Sequence, residues 1–307
     1  MTTRFPTSKA RFVDTPSPDP FWRTLHRLAD AAYPELRDAL ETVLTQAGLN
    51  IPLEVLTQYL ASGPPTLAIT ALEEAWRTGG APALQDVFET QLPPLVTSAA
   101  QAAQGTAGVT VAFAVTDPAI LLAVEAYGAE RVTAIAETTR EAIRAATSTA
   151  FQTHQNVGQL ARTIRELVGL TPRQAESVVR YHAGLLAEGM PASRVETLVA
   201  RQTQRLIRRR AEAIARTETI SAASAGQHLL WQQAQAQGLV DAQIRRWWIL
   251  TPGACPKYCV PIPDLNPDGV GVNEPFQTPI GPVLYPTVHT NCRCAVAHSD
   301  IRPEAYN

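Results

Sequence analysis

The sequence predicts a mainly α protein: a multi-helix body with a long central helix, followed by a small, loop-rich α+β module that resembles a zinc knuckle. Three observations carry that expectation. Apolar residues recur at helical spacing through most of the first 240 positions. From Trp247 onward prolines and glycines crowd in and the helical period vanishes. All four cysteines of the chain lie in that last stretch, two by two.

The elements follow in order. Residues 1–20, with prolines at 6, 16, 18 and 20, read as an irregular arm. Phe21 to Ala47 reads as a helix, because Phe21, Leu25, Leu28, Ala32, Leu36, Leu40 and Leu44 share a face. Gly48 and Pro52 punctuate it. Shorter helices are expected at 53–61, 66–78 and 82–91, split by Gly63-Pro64-Pro65, Gly79-Gly80 and Pro93-Pro94. Gly108 to Val115 is β-branched and short, a strand candidate. Thr116 or Asp117 then caps a helix beginning at Pro118. Further helices are expected over 129–151, 157–168 and 172–188, with Gly169-Leu170-Thr171-Pro172 as a stop followed by a cap.

The long helix is expected from Ala192 to about Gln237, with a break near Ser221 to Gly226. At about 100° per residue, Val195, Val199, Leu206, Ile207 and Ile214 fall on one face. Arg201, Arg205, Arg208, Arg209 and Arg216 fall on the opposite one. Arg210 points to the apolar side and calls for a buried acid, with Glu212 or Glu218 as candidates. Short strands are expected at 244–250 and 283–285. Three regions result: an N-terminal helical region (1–105), a helical body (106–243) and a C-terminal Cys/His module (244–307).

The chain of 307 residues has 45% hydrophobic content, enough for a sizeable core. Its net charge of −2 conceals an asymmetry. Residues 1–150 hold ten basic and sixteen acidic side chains, 151–250 thirteen and seven, 251–307 three and five. A polyanion would therefore meet the middle of the chain. Met1 to Thr24 has no apolar signal core, and no run approaches a membrane span. A soluble protein made in the cytoplasm, without a membrane partner, is expected. In a reducing compartment, clustered cysteines favour a metal over disulfides.

Five donors compete for four positions around such a metal: Cys255, Cys259, His289, Cys292 and Cys294. Thiolates and an imidazole held as close pairs on two turns suit tetrahedral zinc in a closed, structural site. Reduced free thiols or disulfides are the alternative. The arginine face, Arg201, Arg205, Arg208 and Arg209 above all, can grip DNA phosphates or simply face water. Arg216 and Glu218, two apart on a helix, point to different sides and pair with different elements. Trp247 and Trp248 alternate on a strand, one in the core and one as a lid on the metal module. His26, His154, His182, His228 and His298 read as isolated surface or cap residues.

The ordered set Ile214-Ala-Arg-Thr-Glu-Thr219, Trp247/Trp248, Cys255…Cys259 and His289-x-x-Cys292-Arg-Cys294 resembles the phage Mu protein F-like head morphogenesis family. The likeness covers about 205 to 297, and the segments Gly108 to Ala150 and Gly169 to Arg173 look like its helical lead-in. Two departures stand out. Three residues separate the first cysteines where the family usually has two, and Thr290 stands where a proline follows the histidine. The resemblance implies a structural minor capsid protein of a tailed bacteriophage, sited in the virion head interior or at the portal vertex. Its partners would be the portal protein and capsid or scaffold proteins, with packaged double-stranded DNA as a further contact. Arg216, Glu218, Trp247 and Trp248 would be structural motif residues, and no catalytic activity is implied. Two other classes fit parts of the chain. One is a phage-encoded metal-dependent transferase or nuclease using Arg216, Glu218 and the Cys/His cluster, with Asp264, Asp268 or Glu274 near the metal. The other is a DNA-binding protein using the 201–216 arginine face.

Overall fold

Helical periodicity dictates most of the architecture. The computed structural model describes residues 21–107, 130–145, 147, 157–241 and 243–299. The arm at 1–20, the strand Gly108–Val115, its Thr116/Asp117 cap and the helix from Pro118 lie outside the described residues. The described chain is mostly helical, with one small antiparallel sheet. Its elements are α1 (Phe21–Leu49), α2 (Leu53–Ser62), α3 (Pro65–Ala75), a π-helical turn (Trp76–Gly80), α4 (Ala81–Ala107), α5 (130–145), α6 (Val157–Leu167), α7 (Pro172–Ala187), α8 (Ala192–Ala236), β1 (Arg245–Ile249), the short α9 (Ile262–Leu265) and β2 (Ala295–Ser299).

Prolines and glycines break the chain less often than their type suggests. Pro34 lies inside α1, and Pro93-Pro94 lie inside α4. The helix stop expected at Pro93-Pro94 is therefore absent. Each proline removes a donor to the carbonyl four residues back. Those carbonyls belong to Asp30, Glu89 and Thr90, which are exposed, so water can take over the bond. Gly79-Gly80 does not separate two helices either; it belongs to the π-helical turn joining α3 to α4.

The chain divides into two units. One comprises Ala32–Pro94 and Val115–Arg216. Its core gathers Leu36, Leu40 and Leu44 of α1, Trp76, Phe88 and, from later helices, Ile164, Val178 and Val195, all buried. The expected stop and cap are present. Thr171 accepts from the Gln174 backbone at 3.4 Å, and the Gln174 side chain accepts from the Thr171 N–H at 3.0 Å, a complete capping box. Arg210 is buried, as its position on α8 predicts, but it has no acidic partner of the kind expected. Its guanidinium donates to the carbonyls of Gly169 (3.0 Å), Leu170 (2.9 Å) and Ile135 (3.3 Å) and to the Thr139 hydroxyl (3.0 Å). Two of those carbonyls belong to the turn that follows α6, so the cation closes that turn from another helix. Burial lowers its pKa to about 10, which keeps it charged at neutral pH. Glu212 instead faces Arg208, 3.6 Å away.

The other unit comprises Met1–Ala31, Leu95–Ala114 and Thr217–Asn307. Here α8 continues without the break expected near Ser221 to Gly226. The small residues serve packing instead. A Cβ on Gly226 would lie 2.1 Å from the Val96 carbonyl oxygen of α4, so glycine is what lets the two backbones approach. β1 and β2 pair antiparallel in the register Arg246↔His298, Trp247↔Ala297, Trp248↔Val296 and Ile249↔Ala295. The strand expected at 283–285 reduces to a single bridge, Phe276↔Val283, whereas β2 had no counterpart among the expected elements.

Alternation along β1 sorts its side chains. Trp247 and Ile249 pack with Ala295, Ala297 and Trp22 on one face. Trp248 packs with Cys259, Ile262, Phe276, Cys292, Cys294 and Val296 on the other. Both tryptophans are thus core residues of opposite faces. The described histidines expected as isolated surface or cap residues are not exposed. His26, His182 and His228 are buried, and His298 is half-buried with its ring stacked on Trp231 at 4.2 Å. His154 lies outside the described residues.

Candidate metal centre

Two turns build the centre. In the first, the Cys255 carbonyl accepts from the N–H groups of Cys259 (2.9 Å) and Val260 (3.1 Å), a single helical turn that presents Cys259 inward. In the second, the Cys292 N–H closes on the His289 carbonyl at 3.0 Å, with Asn291 in the left-handed region at φ 62°. Asn tolerates that conformation better than most residues. The turn is anchored from outside. The Asn291 N–H donates to the Thr217 hydroxyl of α8 at 3.0 Å. The Arg293 carbonyl accepts from Thr251 Oγ1 (3.0 Å) and lies 2.9 Å from His26 Nε2. The Arg293 guanidinium meets the Asp30 carboxylate at 3.2 Å.

Cys259, His289 and Cys292 converge so that their ligand atoms lie within 4.8 Å of one another, an arrangement that could hold a metal ion. Cys259 Sγ lies 3.0 Å from His289 Nε2 and 3.8 Å from Cys292 Sγ. Two thiolates on one tetrahedral zinc, at bond lengths of about 2.3 Å, stand about 3.8 Å apart. The sulfur pair already has that spacing, while the sulfur–imidazole pair would open by roughly half an ångström. His289 Nδ1 is 2.8 Å from the Thr290 carbonyl, which makes Nδ1 the protonated nitrogen and leaves the Nε2 lone pair facing the sulfurs. The Thr290 carbonyl thus supplies an orienting acceptor.

All four cysteines are free thiols. Cys292 is held well below the usual thiol range, first by hydrogen bonding from Cys259 and then from Cys294. Cys259 is pushed up by its bond with Cys292, and Cys294 by its bonds with Cys259 and Cys292. Thiols and an imidazole gathered this closely lose protons to an ion that binds them. Soft sulfur with imidazole suits zinc-type ions over hard cations. Cys294, buried, and Cys255, half-buried, both lie outside this set of three; Cys294 belongs to the cluster around it and Cys255 packs against that cluster. No carboxylate joins the group among the described residues, so Asp264, Asp268 and Glu274 are not brought to it.

Arg216 is exposed and its guanidinium lies 5.3 Å from the Tyr33 ring centre, whereas Glu218 is buried. They face opposite sides, as their spacing requires. Arg201, Arg205, Arg208 and Arg209 are all exposed along α8.

A second polar cluster escaped the sequence reading. Arg246 is 1% exposed, yet donates to the carbonyls of Gly271 (3.0 Å), Leu284 (2.6 Å) and Glu274 and faces His228 Nδ1 at 3.2 Å. It stacks over Phe276, 5.1 Å from the ring centre. One side chain thus gathers the proline-rich loop that frames the thiols. Only the alternation of β1 hinted at this, since Arg246 shares a face with Trp248. No helix among the described residues is long and apolar enough to cross a membrane. Comparison of the chain with protein-family models, with curated proteins and with solved structures finds no match.

Proposed function

We propose that the protein is a structural minor head protein of a tailed bacteriophage, acting in procapsid assembly and in DNA packaging or delivery next to the portal. The observation that carries this reading is the bond between Thr217 and Asn291. It ties the Ala-Arg-Thr-Glu segment of α8 to the His-x-x-Cys-x-Cys turn, so motif segments some seventy residues apart act as one module. A pair of motifs matched by chance has no reason to be joined in this way. The ion in the thiol–imidazole group is zinc, in a structural role, because its donors are soft and enclosed and no carboxylate stands among them. Partners in this reading are the portal protein and capsid or scaffold proteins.

The test is to delete the coding sequence from the phage that carries it and to probe purified procapsids and virions for the chain. Its presence at low copy number in heads, with defective heads or poor DNA delivery after deletion, is the expected result. Absence from heads and a deletion without effect on particle formation or infectivity would reject the reading.

The exposed arginines favour a second contact, with packaged duplex DNA. Binding that weakens steeply with salt, and weakens further when Arg201, Arg205 and Arg208 are changed together, is expected. Salt-insensitive binding, or none, would remove it.

A further inference from the structure

We propose that Cys294, and not Cys255, completes the metal centre, so that the ion is held by Cys259, His289, Cys292 and Cys294 while Cys255 remains a free thiol. The inference rests on the zinc reading above and decides among the five candidate donors.

Three observations separate the two cysteines. The first is the alternation of the segment entering β2. Cys292 and Cys294 are each 1% exposed and belong to one cluster with Cys259 and Trp248. Arg293 between them is exposed and turned to Asp30. In extended chain, residues two apart share a face, so the Cys-x-Cys step delivers both sulfurs to the same side. The second is depth. Cys294 is a buried member of that cluster, whereas Cys255 is half-buried and packs against it from outside. The third is the work Cys255 already does. Its carbonyl takes the N–H groups of Cys259 and Val260, so its backbone makes the turn that presents Cys259.

Cys294 lies outside the compact set of three ligand atoms, and a change of its χ1 rotamer is the cheapest movement that could bring it in. The result is three thiolates and one imidazole, a closed set common in structural zinc sites.

The test uses the full chain, purified reduced and loaded with zinc, as wild type, Cys294→Ser and Cys255→Ser. Zinc is counted by elemental mass spectrometry and its affinity measured by competition with a chromogenic chelator. In parallel the zinc-loaded wild type is alkylated with iodoacetamide and the modified cysteines are mapped by mass spectrometry. About one zinc per chain is expected in wild type and in Cys255→Ser. Cys294→Ser should lose more affinity than the roughly 10–100-fold that removal of an outer partner costs. Alkylation should mark Cys255 and spare the other three until a chelator is added. Zinc retained at wild-type affinity in Cys294→Ser, or lost in Cys255→Ser, would overturn the ligand assignment alone. A wild type that binds no zinc would overturn the assignment together with the zinc reading. Should Cys294→Ser fail to fold, the alkylation map decides, and modification of Cys294 in the zinc-loaded protein counts against the proposal.

Discussion

Arg246 and His228 face each other at 3.2 Å, guanidinium nitrogen to imidazole Nδ1, with both side chains out of solvent. The arrangement needs a neutral imidazole, because Nδ1 must accept. Burial first, and then the charge of Arg246, lowers the His228 pKa to about 3. His298 is lowered by burial, then by Arg246 and by His228. An unfolded histidine titrates near about 6.5. Between the two values the unfolded chain binds protons that the folded chain refuses, so stability rises with pH across that window. The contribution is complete above about pH 6.5 and is lost progressively as pH falls toward 3. Urea midpoints measured from about pH 7.5 down to about pH 4.5 should therefore decline. His228→Gln should flatten part of that slope; an unchanged slope would assign the acid sensitivity to other groups.

The neighbouring arginines of β1 make a controlled pair. Arg246 satisfies three backbone carbonyls of the loop spanning 271–284 from a buried position. Arg245 makes one exposed ion pair with Glu274 at 3.5 Å. Replacing Arg246 by Met removes the donor from the carbonyls of half-buried Gly271 and exposed Glu274 and Leu284, which water can replace in part, so a loss of about 1–3 kcal/mol is expected. Arg245→Met should cost no more than about 1 kcal/mol. Denaturant unfolding of the two variants side by side checks the difference, and equal losses would show that the loop does not depend on the Arg246 bonds.

Two glycines inside helices should respond to alanine with opposite signs. Gly184 in α7 is exposed and a Cβ there meets nothing within 4 Å, so Gly184→Ala should stabilise by about 0.5–1 kcal/mol through helix propensity. Gly226 in α8 has the Val96 carbonyl in the space a Cβ would take. Gly226→Ala should destabilise by about 1–3 kcal/mol despite the same propensity gain. Thermal unfolding of both variants decides it.

Gly226 also marks where sequence reading stops. Its type and its small neighbours read as a helix break, because close approach of another backbone leaves no trace in a single chain. The same holds for Pro93-Pro94, tolerated because Glu89 and Thr90, which lose donors, are exposed, and for Arg210, whose partners are three carbonyls and the Thr139 hydroxyl rather than an acid. Properties set by neighbours in sequence were legible: the helical faces of α1 and α8, the Thr171 cap and the outward turn of Arg201 to Arg209. The centre was half legible. Spacing gathered Cys255, Cys259, His289, Cys292 and Cys294 without ranking them; which three converge was set by the fold, and weighing Cys294 against Cys255 needed the alternation into β2, a strand too short and too alanine-rich to announce itself. The buried histidines were missed because burial of a lone imidazole depends on what packs around it.

Metal removal should act locally. The two turns of the centre are short, and their side chains share one cluster with Trp248, so the ion would staple segments that otherwise meet through few apolar residues. Taking it away leaves Cys259, His289 and Cys292 closely spaced with no ion between them. The unit formed by Ala32–Pro94 and Val115–Arg216 contains no cysteine, so its helices have no ligand to lose. A chelator should therefore leave most of the far-ultraviolet helical signal in place. Tryptophan emission should shift to the red as Trp248 meets water, and the turn bearing Arg293 should gain hydrogen exchange. Re-addition of zinc should reverse both changes, and Cys292→Ser should resemble the chelated wild type. Loss of the whole helical signal on chelation would mean that the ion supports the entire chain, and an unmoved tryptophan spectrum would mean that the centre holds nothing in place.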